Sequence, residues 1–132
     1  MSTFHLKIVT PDRLVFDGEC ESLVARTICG DVCILARHTE YVTPLGIGRV
    51  KVKTKDGVRI ASCSGGTLMV TSGKADVIAD TFEWKDEIDI ERAQRAKEKA
   101  EERIAKYETE FELNLAEVKL KRAINRINTG RM

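Results

Sequence analysis

The sequence predicts a mainly β N-terminal domain, a sandwich of two antiparallel sheets, followed by a C-terminal α-helical hairpin. Short strand-like segments run through the first part of the chain, with turn signals about every 8 to 12 residues, as is typical of antiparallel sandwiches. Residues 88–129 contain no Gly or Pro and are rich in Ala, Glu, Lys and Arg, which favours helix. We therefore predict a β-sandwich domain at residues 1–84 and a two-helix domain at residues 85–132.

The strands of the first domain are predicted from hydrophobic alternation. In residues 4–9, apolar side chains at positions 4, 6 and 8 alternate with His5, Lys7 and Val9, the pattern of a half-buried strand. Similar segments between turn residues predict seven further strands, at 14–16, 22–27, 32–35, 50–55, 58–63, 67–71 and 75–82.

Turn residues predict where these strands are interrupted. Asp56-Gly57 is a strong signal for a two-residue hairpin. The Pro and Gly residues at 44–48 predict a break in the chain, and Ser64-Gly65-Gly66 predicts another turn. Three lysines give the strand at 50–55 one solvent-exposed face. We predict that this strand lies at an edge of the sheet, where its lysines would disfavour pairing with another chain.

Each predicted helix carries one narrow apolar stripe. Its members recur at helical spacing: Ala93, Ala96, Ala100, Ile104, Tyr107 and Phe111 in the first helix, and Ala116, Leu120, Ala123, Ile124 and Ile127 in the second. We predict a cap at Asp86 or Asp89, a break near Thr109 to Asn114, and a helix end at Gly130. Because a stripe of mostly alanine holds a neighbour weakly, we expect a hairpin that can close or come apart.

Composition excludes several functional classes. The net charge is +1 and aromatic residues make up 5% of the chain, so we expect no nucleic-acid binding. No apolar run reaches the roughly 20 residues that span a bilayer, and the N-terminus lacks the apolar core of a signal peptide. The expectation is a cytosolic protein, peripheral on a larger assembly.

The cysteines do not form a recognisable metal motif. They are Cys20, Cys29, Cys33 and Cys63, without a CxxC pair or a tight Cys/His cluster. We expect buried, reduced thiols in a sheet and no metal ion.

Catalysis by this chain alone is not expected. Nucleophilic catalysis needs a Ser or Cys beside a base, and the only histidines are His5 and His38. The alternation places His5 on the outer face of the first strand, and His38 lies in a loop typical of a surface contact.

A charged cluster is predicted where the two helices meet. Asp89 and Arg92 are three residues apart on the first helix, and Arg122 and Arg126 are four apart on the second, so each pair shares a helical face. If the hairpin closes, the start of the first helix meets the end of the second. The residues then allow two interpretations, a phosphate cradle beside a helix N-terminus or a solvated charged face.

Several segments carry a resemblance to a known family. They are the opening LKIVTPDRLVFDGE, Gly30 to His38, Ser64-Gly65-Gly66, Ile88 to Ala93 with its Asp-x-x-Arg-Ala pattern, and Leu120 to Asn128. Together and in order, they resemble the epsilon subunit of bacterial F-type ATP synthases over essentially the whole chain. The chain departs from the family pattern at Ala36-Arg37, where the family has Pro-Gly, at Cys33, which replaces a Gly, and at Thr67-Leu68, which replace an aromatic residue.

The resemblance implies a non-catalytic regulatory and coupling subunit in the central stalk, or rotor, of a proton- or sodium-translocating ATP synthase. It implies that the sandwich contacts the gamma subunit and the c-ring, with Asp31 and His38 at these contacts. It also implies a tail that extends to the alpha/beta head and inhibits ATP hydrolysis. The location implied is the cytoplasmic face of the bacterial plasma membrane, peripheral, with membrane contact only through the complex.

The resemblance also implies ATP as a regulatory ligand that stabilises the folded hairpin, without a metal. The residues it implies for ATP are Asp89, Arg92, Arg122 and Arg126, with Glu83, Ile88 and Ala93 at the pocket edge.

Two other functions are compatible with the pattern. A non-catalytic β-sandwich interaction module with a dimerising helical tail predicts sustained heptads with large residues at the buried positions. A nucleotide-handling enzyme predicts turnover of ATP by the isolated chain.

Overall fold

A computed structural model describes residues 2–132 and divides the chain into two compact units, the first ending at Trp84 and the second beginning at Lys85. The first unit has seven strands: β1 (Phe4–Val9), β2 (Leu14–Cys20), β3 (Ser22–Thr27), β4 (Gly30–Leu35), β5 (Tyr41–Thr54), β6 (Gly57–Thr71) and β7 (Lys74–Trp84). The second unit has a 3-10 turn (Lys85–Glu87) and two helices, α1 (Ile90–Ala105) and α2 (Glu110–Gly130).

The predicted sandwich followed by a helical hairpin is confirmed. Hydrogen bonds connect the strands in the order β2-β1-β7-β6-β5-β3-β4. All pairs are antiparallel except β1 and β7, which run parallel and bring the first strand of the unit beside its last. Hydrogen bonding is therefore continuous through all seven strands.

Side-chain alternation explains how the sheet encloses its core. Phe4, Leu6 and Ile8 of β1 are buried, as the period of two predicts. In β5, Val50 and Val52 are buried, while the alternating Lys51 and Lys53 are exposed. Every strand contributes to the same cluster of buried apolar side chains, since β2 adds Cys20, β3 Leu23, β4 Ile34, β6 Leu68 and β7 Val77.

The predicted interruptions at 44–48 and 64–66 are wrong. β5 passes through the first segment and β6 through the second. Around Gly65-Gly66 the pairing of β6 with β7 keeps its register, from Ser64 opposite Thr81 to Gly66 opposite Ala79. Both glycines have positive φ, and a Cβ on Gly66 would overlap the carbonyl oxygen of Ile78. These glycines therefore allow a close approach of two strands instead of a turn.

The edge-strand prediction for 50–55 is also wrong. This segment belongs mainly to β5, which lies between β6 and β3, and the edges of the sheet are β2 and β4. Lys51 and Lys53 are exposed because the opposite face of β5 is in the core. The predicted hairpin between β5 and β6 is present, but its two-residue turn is Lys55-Asp56, because Gly57 already pairs with Thr54.

The break between the helices lies one turn earlier than predicted. α1 ends at Ala105, and α2 is capped by Thr109, whose side chain accepts a hydrogen bond from the N–H of Glu112 at 3.1 Å. Glu112 in turn accepts a hydrogen bond from the N–H of Glu108 at 3.0 Å. Thr-x-x-Glu is a typical helix-start signature, so residues 110–114 are helical.

The two helices pack against each other mainly through alanine. Ala93, Ala100, Ala116 and Ala123 are buried, with a spacing of seven residues within each helix. At the other end of the pair, a Cβ on Gly130 would lie 3.0 Å from Cγ1 of Ile90. The end of α2 therefore lies beside the start of α1, as in an antiparallel hairpin with a short connection.

Part of the predicted stripe lies outside this interface. Ala96, Tyr107, Phe111 and Ile124 are exposed, although all four recur at helical spacing. The side chains of α1 that face α2 repeat every seven residues, at Ala93 and Ala100. Ala96 lies to one side of this row and is therefore exposed.

No helix within residues 2–132 is both long enough and apolar enough to cross a membrane.

Candidate functional site

Asp89 begins α1 in extended backbone conformation and caps it. Its Oδ1 accepts a hydrogen bond from the N–H of Arg92 at 3.1 Å, and its carbonyl oxygen accepts one from the N–H of Ala93 at 3.0 Å. The cap fixes the carboxylate of Asp89 at the positive end of the helix dipole. The side chains of Asp89 and Arg92 are both exposed there. We call the region where this turn meets the last turns of α2 the open end of the hairpin.

The register of the hairpin places the arginines of α2 relative to this turn. Gly130 is level with Ile88 and Ile90, and both helices rise 1.5 Å per residue in opposite directions. Arg126 is therefore level with about Ala93, and Arg122 lies about 6 Å further from the open end. Arg126 is half-buried, whereas Arg122 is exposed.

This arrangement is suited to an anion. The N-terminus of α1 presents backbone N–H groups and a positive partial charge, and Arg92, Arg126 and Arg122 add guanidinium groups on the two helices. A guanidinium can hold a phosphate through two parallel hydrogen bonds. Cationic side chains beside a helix N-terminus are typical of phosphate-recognition sites.

The other predicted ATP residues differ in what they can contribute. Ala93 is fully buried and Ile88 is 9% exposed, so both support the packing of the open end and present little surface to a ligand. Glu83 lies in β7, in the first unit, and is half-buried. The role of all seven residues in ATP binding stays a prediction.

A cavity of about 360 Å³ lies elsewhere in the second unit. It is formed by the last turn of α1 and the first turns of α2, with Tyr107 and Leu115 among its lining residues. None of the predicted ATP residues lines it. We give the charged open end more weight, because phosphate recognition depends on cationic groups and helix N-termini more than on cavity size.

Asp31 lies on the edge strand β4 and is held by its neighbour. Arg26 of β3 stands directly opposite in the sheet, and its Nε donates to Oδ1 of Asp31 at 2.6 Å. Both side chains are about half exposed, so this ion pair contributes at most about 1 kcal/mol. Asp31 is therefore positioned on the surface and accessible.

His38 follows β4 in a tight turn. Its Nδ1 lies 2.7 Å from the carbonyl oxygen of Thr39, and its ring is 5.8 Å from that of Tyr41. Arg37, which stands where the family has Gly, adopts φ +65°. The turn thus keeps a left-handed conformation that glycine favours, although a side chain is present.

Exposed apolar residues that the sequence pattern did not predict lie in the β3–β4 turn and on the same strand as Asp31. Ile28 at the β3–β4 turn is 70% exposed, and Leu35, two positions beyond Cys33 on the outer face of β4, is 55% exposed. We call the set Ile28, Cys29, Asp31, Cys33 and Leu35 the β3–β4 surface. Residue type alone did not predict it, because exposure of an apolar residue depends on which strands form the edges of the sheet.

The expectation of buried thiols holds for two cysteines and is wrong for the other two. Cys20 and Cys63 are buried, and burial raises the pKa of their thiols to about 11 and about 12, respectively. Cys29 and Cys33 are exposed, because one lies in the β3–β4 turn and the other on the outer face of an edge strand. Within residues 2–132, His, Cys, Asp and Glu form no group that could hold a metal.

His5 is a surface residue in an ion-pair cluster. Its Nε2 lies 2.5 Å from Oδ1 of Asp17, a diagonal neighbour on β2, where Glu19 stands directly opposite His5. Its Nδ1 lies 3.9 Å from Glu19, which accepts a hydrogen bond from Thr3 at 2.7 Å. Its place on the outer face of β1 is as predicted, and its contacts link the edge strand to its neighbour.

Comparison with known proteins covers both units. The family model described as ATP synthase, Delta/Epsilon chain, beta-sandwich domain matches residues 3–85, and the one described as ATP synthase, Delta/Epsilon chain, long alpha-helix domain matches residues 86–130. The ATP synthase epsilon chain of Alkaliphilus metalliredigens is 45% identical over 126 residues, covering 96% of this chain and 94% of that protein. The epsilon chain of Ruminococcus albus is 37% identical over 131 residues, covering 98% of both.

Solved structures show the same fold at lower identity. A chain of the Euglena gracilis mitochondrial ATP synthase, in a structure of OSCP, F1 and c-ring, has a TM-score of 0.85 at 21% identity, over 100% of this chain and 83% of that one. A chain of the Tetrahymena thermophila mitochondrial ATP synthase central stalk and c-ring has a TM-score of 0.69 at 16% identity, over 96% and 95%. By its two matching domains and its full-length relatives, this chain belongs to the ATP synthase delta/epsilon chain family and is of the non-catalytic epsilon type.

Proposed function

We propose that the chain is the epsilon subunit of the central stalk of an F-type ATP synthase, where it couples and regulates a proton- or sodium-driven rotor. The observation that carries this proposal is the match to bacterial epsilon chains over 96% to 98% of the sequence. Its partners are the gamma subunit and the c-ring, and it meets the membrane only through the complex, at the cytoplasmic face.

The β3–β4 surface supports a rotor contact through the sandwich. Ile28 exposes apolar area in the turn before Asp31 and Leu35 exposes it at the end of the same strand, with His38 in the following turn. Grouped apolar side chains with a polar rim are typical of protein interaction sites. We assign this surface to the contact with the gamma subunit or the c-ring.

Native cysteines provide a test of this contact. In the isolated chain at pH 8, Cys29 and Cys33 are expected to react with a maleimide. Cys20 and Cys63 are expected to stay unmodified, since they are buried and a raised pKa leaves little thiolate at that pH. In the assembled complex, modification of Cys29 and Cys33 is expected to slow at least tenfold, measured by mass spectrometry of tryptic peptides.

The denatured chain is the control, because all four thiols should then react. Equal modification rates of Cys29 and Cys33 in the free and assembled protein would contradict a partner on the β3–β4 surface.

The hairpin supports a regulatory switch because most of its buried apolar side chains are alanines. Four buried alanine methyl groups contribute on the order of 3 kcal/mol, less than a stripe of leucines would. α2 also exposes a second apolar stripe, Phe111, Leu115 and Val118, with exposed fractions of 75%, 43% and 38%. We propose that this stripe and the basic residues after it meet the alpha/beta head when the tail extends, which inhibits ATP hydrolysis.

ATP binding at the open end is proposed to favour the folded form. Reversing a 1:99 population takes about 5.5 kcal/mol of differential binding, and each hydrogen bond to a charged group contributes about 1.5–3 kcal/mol. Two or three such hydrogen bonds, from Arg92, Arg126 and Arg122, would together contribute a binding free energy of that order. A ligand held by both helices can bind only while they are together.

Calorimetric titration of the isolated chain with ATP tests this site. Arg92→Ala and Arg126→Ala are each expected to weaken binding at least tenfold, because each removes one charged contact to phosphate. Arg95→Ala is the matched control, since Arg95 is exposed on the same helix one turn further from the open end. No heat of binding at millimolar ATP, or equal affinities in all variants, would exclude the open end as a nucleotide site.

The alternative of a dimerising coiled-coil tail is less well supported. It requires large apolar residues at buried heptad positions, and the buried positions at the hairpin interface are mainly alanine.

A further inference from the structure

The last turn of α2 contains a buried polar group without a partner. Thr129 is 0% exposed, and its Oγ1 makes no hydrogen bond within the part of the chain that the structure describes. A threonine inside a helix commonly donates to the carbonyl oxygen one turn earlier, but this hydroxyl does not. A buried hydroxyl that has lost water and gained no partner raises the free energy of the state in which it is buried.

The position of Thr129 connects its unpaired hydroxyl to the closing of the hairpin. The next residue, Gly130, packs so closely against the start of α1 that a Cβ would lie 3.0 Å from Ile90 and 3.3 Å from Ile88. Thr129 thus lies next to the point where the end of α2 contacts Ile88 and Ile90 at the open end. When α2 moves away from α1, this packing is lost and water can reach the last turn of α2.

We propose that Thr129 is a built-in destabilising element of the folded hairpin. Its hydroxyl is unpaired while the hairpin is closed and hydrated when α2 leaves, so it shifts the equilibrium towards the open form. It counteracts the packing of the alanines and keeps the two forms close in free energy. Its regulatory consequence rests on the proposed function, because only a switching tail uses such a balance.

The test replaces Thr129 with valine in the full chain and measures amide hydrogen exchange without nucleotide. Valine has nearly the shape of threonine and a similar helix propensity, so the hydroxyl is the main difference. We expect the amides of the last two turns of α2 to exchange about tenfold more slowly, since an unpaired buried hydroxyl shifts an opening equilibrium by roughly five- to a hundredfold.

Thr129→Ser is the matched control, because it keeps the hydroxyl and removes only the methyl group. It is expected to exchange as fast as the wild type or faster. Exchange in Thr129→Val that equals or exceeds the wild-type rate would overturn the proposal, since it would show that the hydroxyl does not weaken the folded form.

A second measurement separates this inference from the proposed function. In the reconstituted ATP synthase, Thr129→Val is expected to reduce the inhibition of ATP hydrolysis, because fewer tails are extended. Slower exchange together with unchanged inhibition would support Thr129 as a destabilising element and overturn the inhibitory role of the tail. Unchanged exchange would overturn the inference itself, whatever the activity.

Discussion

Replacing Gly66 with alanine is expected to destabilise the β-sandwich by about 4 kcal/mol, which combines backbone strain and overpacking. Gly66 has φ +123°, a conformation that L side chains rarely adopt. An added Cβ would overlap the carbonyl oxygen of Ile78 and lie 2.8 Å from the Cα of Ala79. Both atoms belong to the backbone of β7, so no side-chain rotation relieves the overlap.

The measurement is urea unfolding followed by tryptophan fluorescence. Trp84 is the only tryptophan, is 4% exposed, and stacks under the guanidinium of Arg59 at 3.8 Å. Gly57→Ala is a closely matched control, since Gly57 also has φ +123° but has no atom within 4 Å of an added Cβ. Gly57→Ala should destabilise the β-sandwich only through backbone strain, by about 1–3 kcal/mol. Equal losses of unfolding free energy in Gly66→Ala and Gly57→Ala would contradict a close approach of β6 and β7 at Gly66.

These glycines show why the strands could be predicted more completely than their ends. Apolar alternation, together with short segments between turn residues, identified part of each of the seven strands. The same local pattern, Ser-Gly-Gly, is compatible with a turn and with a close approach of a neighbouring strand. Only the pairing of β6 with β7 decides between them, and that pairing depends on residues distant in sequence. β5 and β6 were therefore predicted as shorter pieces.

In the helical unit, too, some features depend on neighbouring residues and others on residues distant in sequence. The cap at Asp89, one of the two residues predicted for it, follows from residues within one turn. The cap at Thr109 was missed, although its Thr-x-x-Glu signature is equally local. Burial does not follow from local spacing. Ala93 and Ala96 were equivalent members of one stripe, yet Ala93 is fully buried and Ala96 is exposed, because the position of α2 selects one line of the α1 surface. Exposure of Ile28 and Leu35 likewise depends on β4 being an edge strand.

This difference between alanines on α1 leads to a prediction about the switch. Ala100→Glu is expected to open the hairpin, because Ala100 is 2% exposed and a carboxylate there loses water without a designed partner. We expect a destabilisation of about 3 kcal/mol or more, which corresponds to at least a hundredfold faster amide exchange in α2. A complex that carries Ala100→Glu is expected to hydrolyse ATP more slowly than the wild type, because the proposed function gives the extended tail an inhibitory role.

Ala96→Glu is the matched control, with the same change of charge and helix propensity at an exposed position of the same helix. It should leave both amide exchange and hydrolysis near wild-type values. The urea midpoint reported by Trp84 should be unchanged in both variants, because the β-sandwich has its own buried core. Faster exchange in Ala100→Glu without a change in hydrolysis would contradict the proposed inhibition of ATP hydrolysis by the opened hairpin. Equal effects of the two variants would mean that charge on α1, and not separation of the helices, controls the tail.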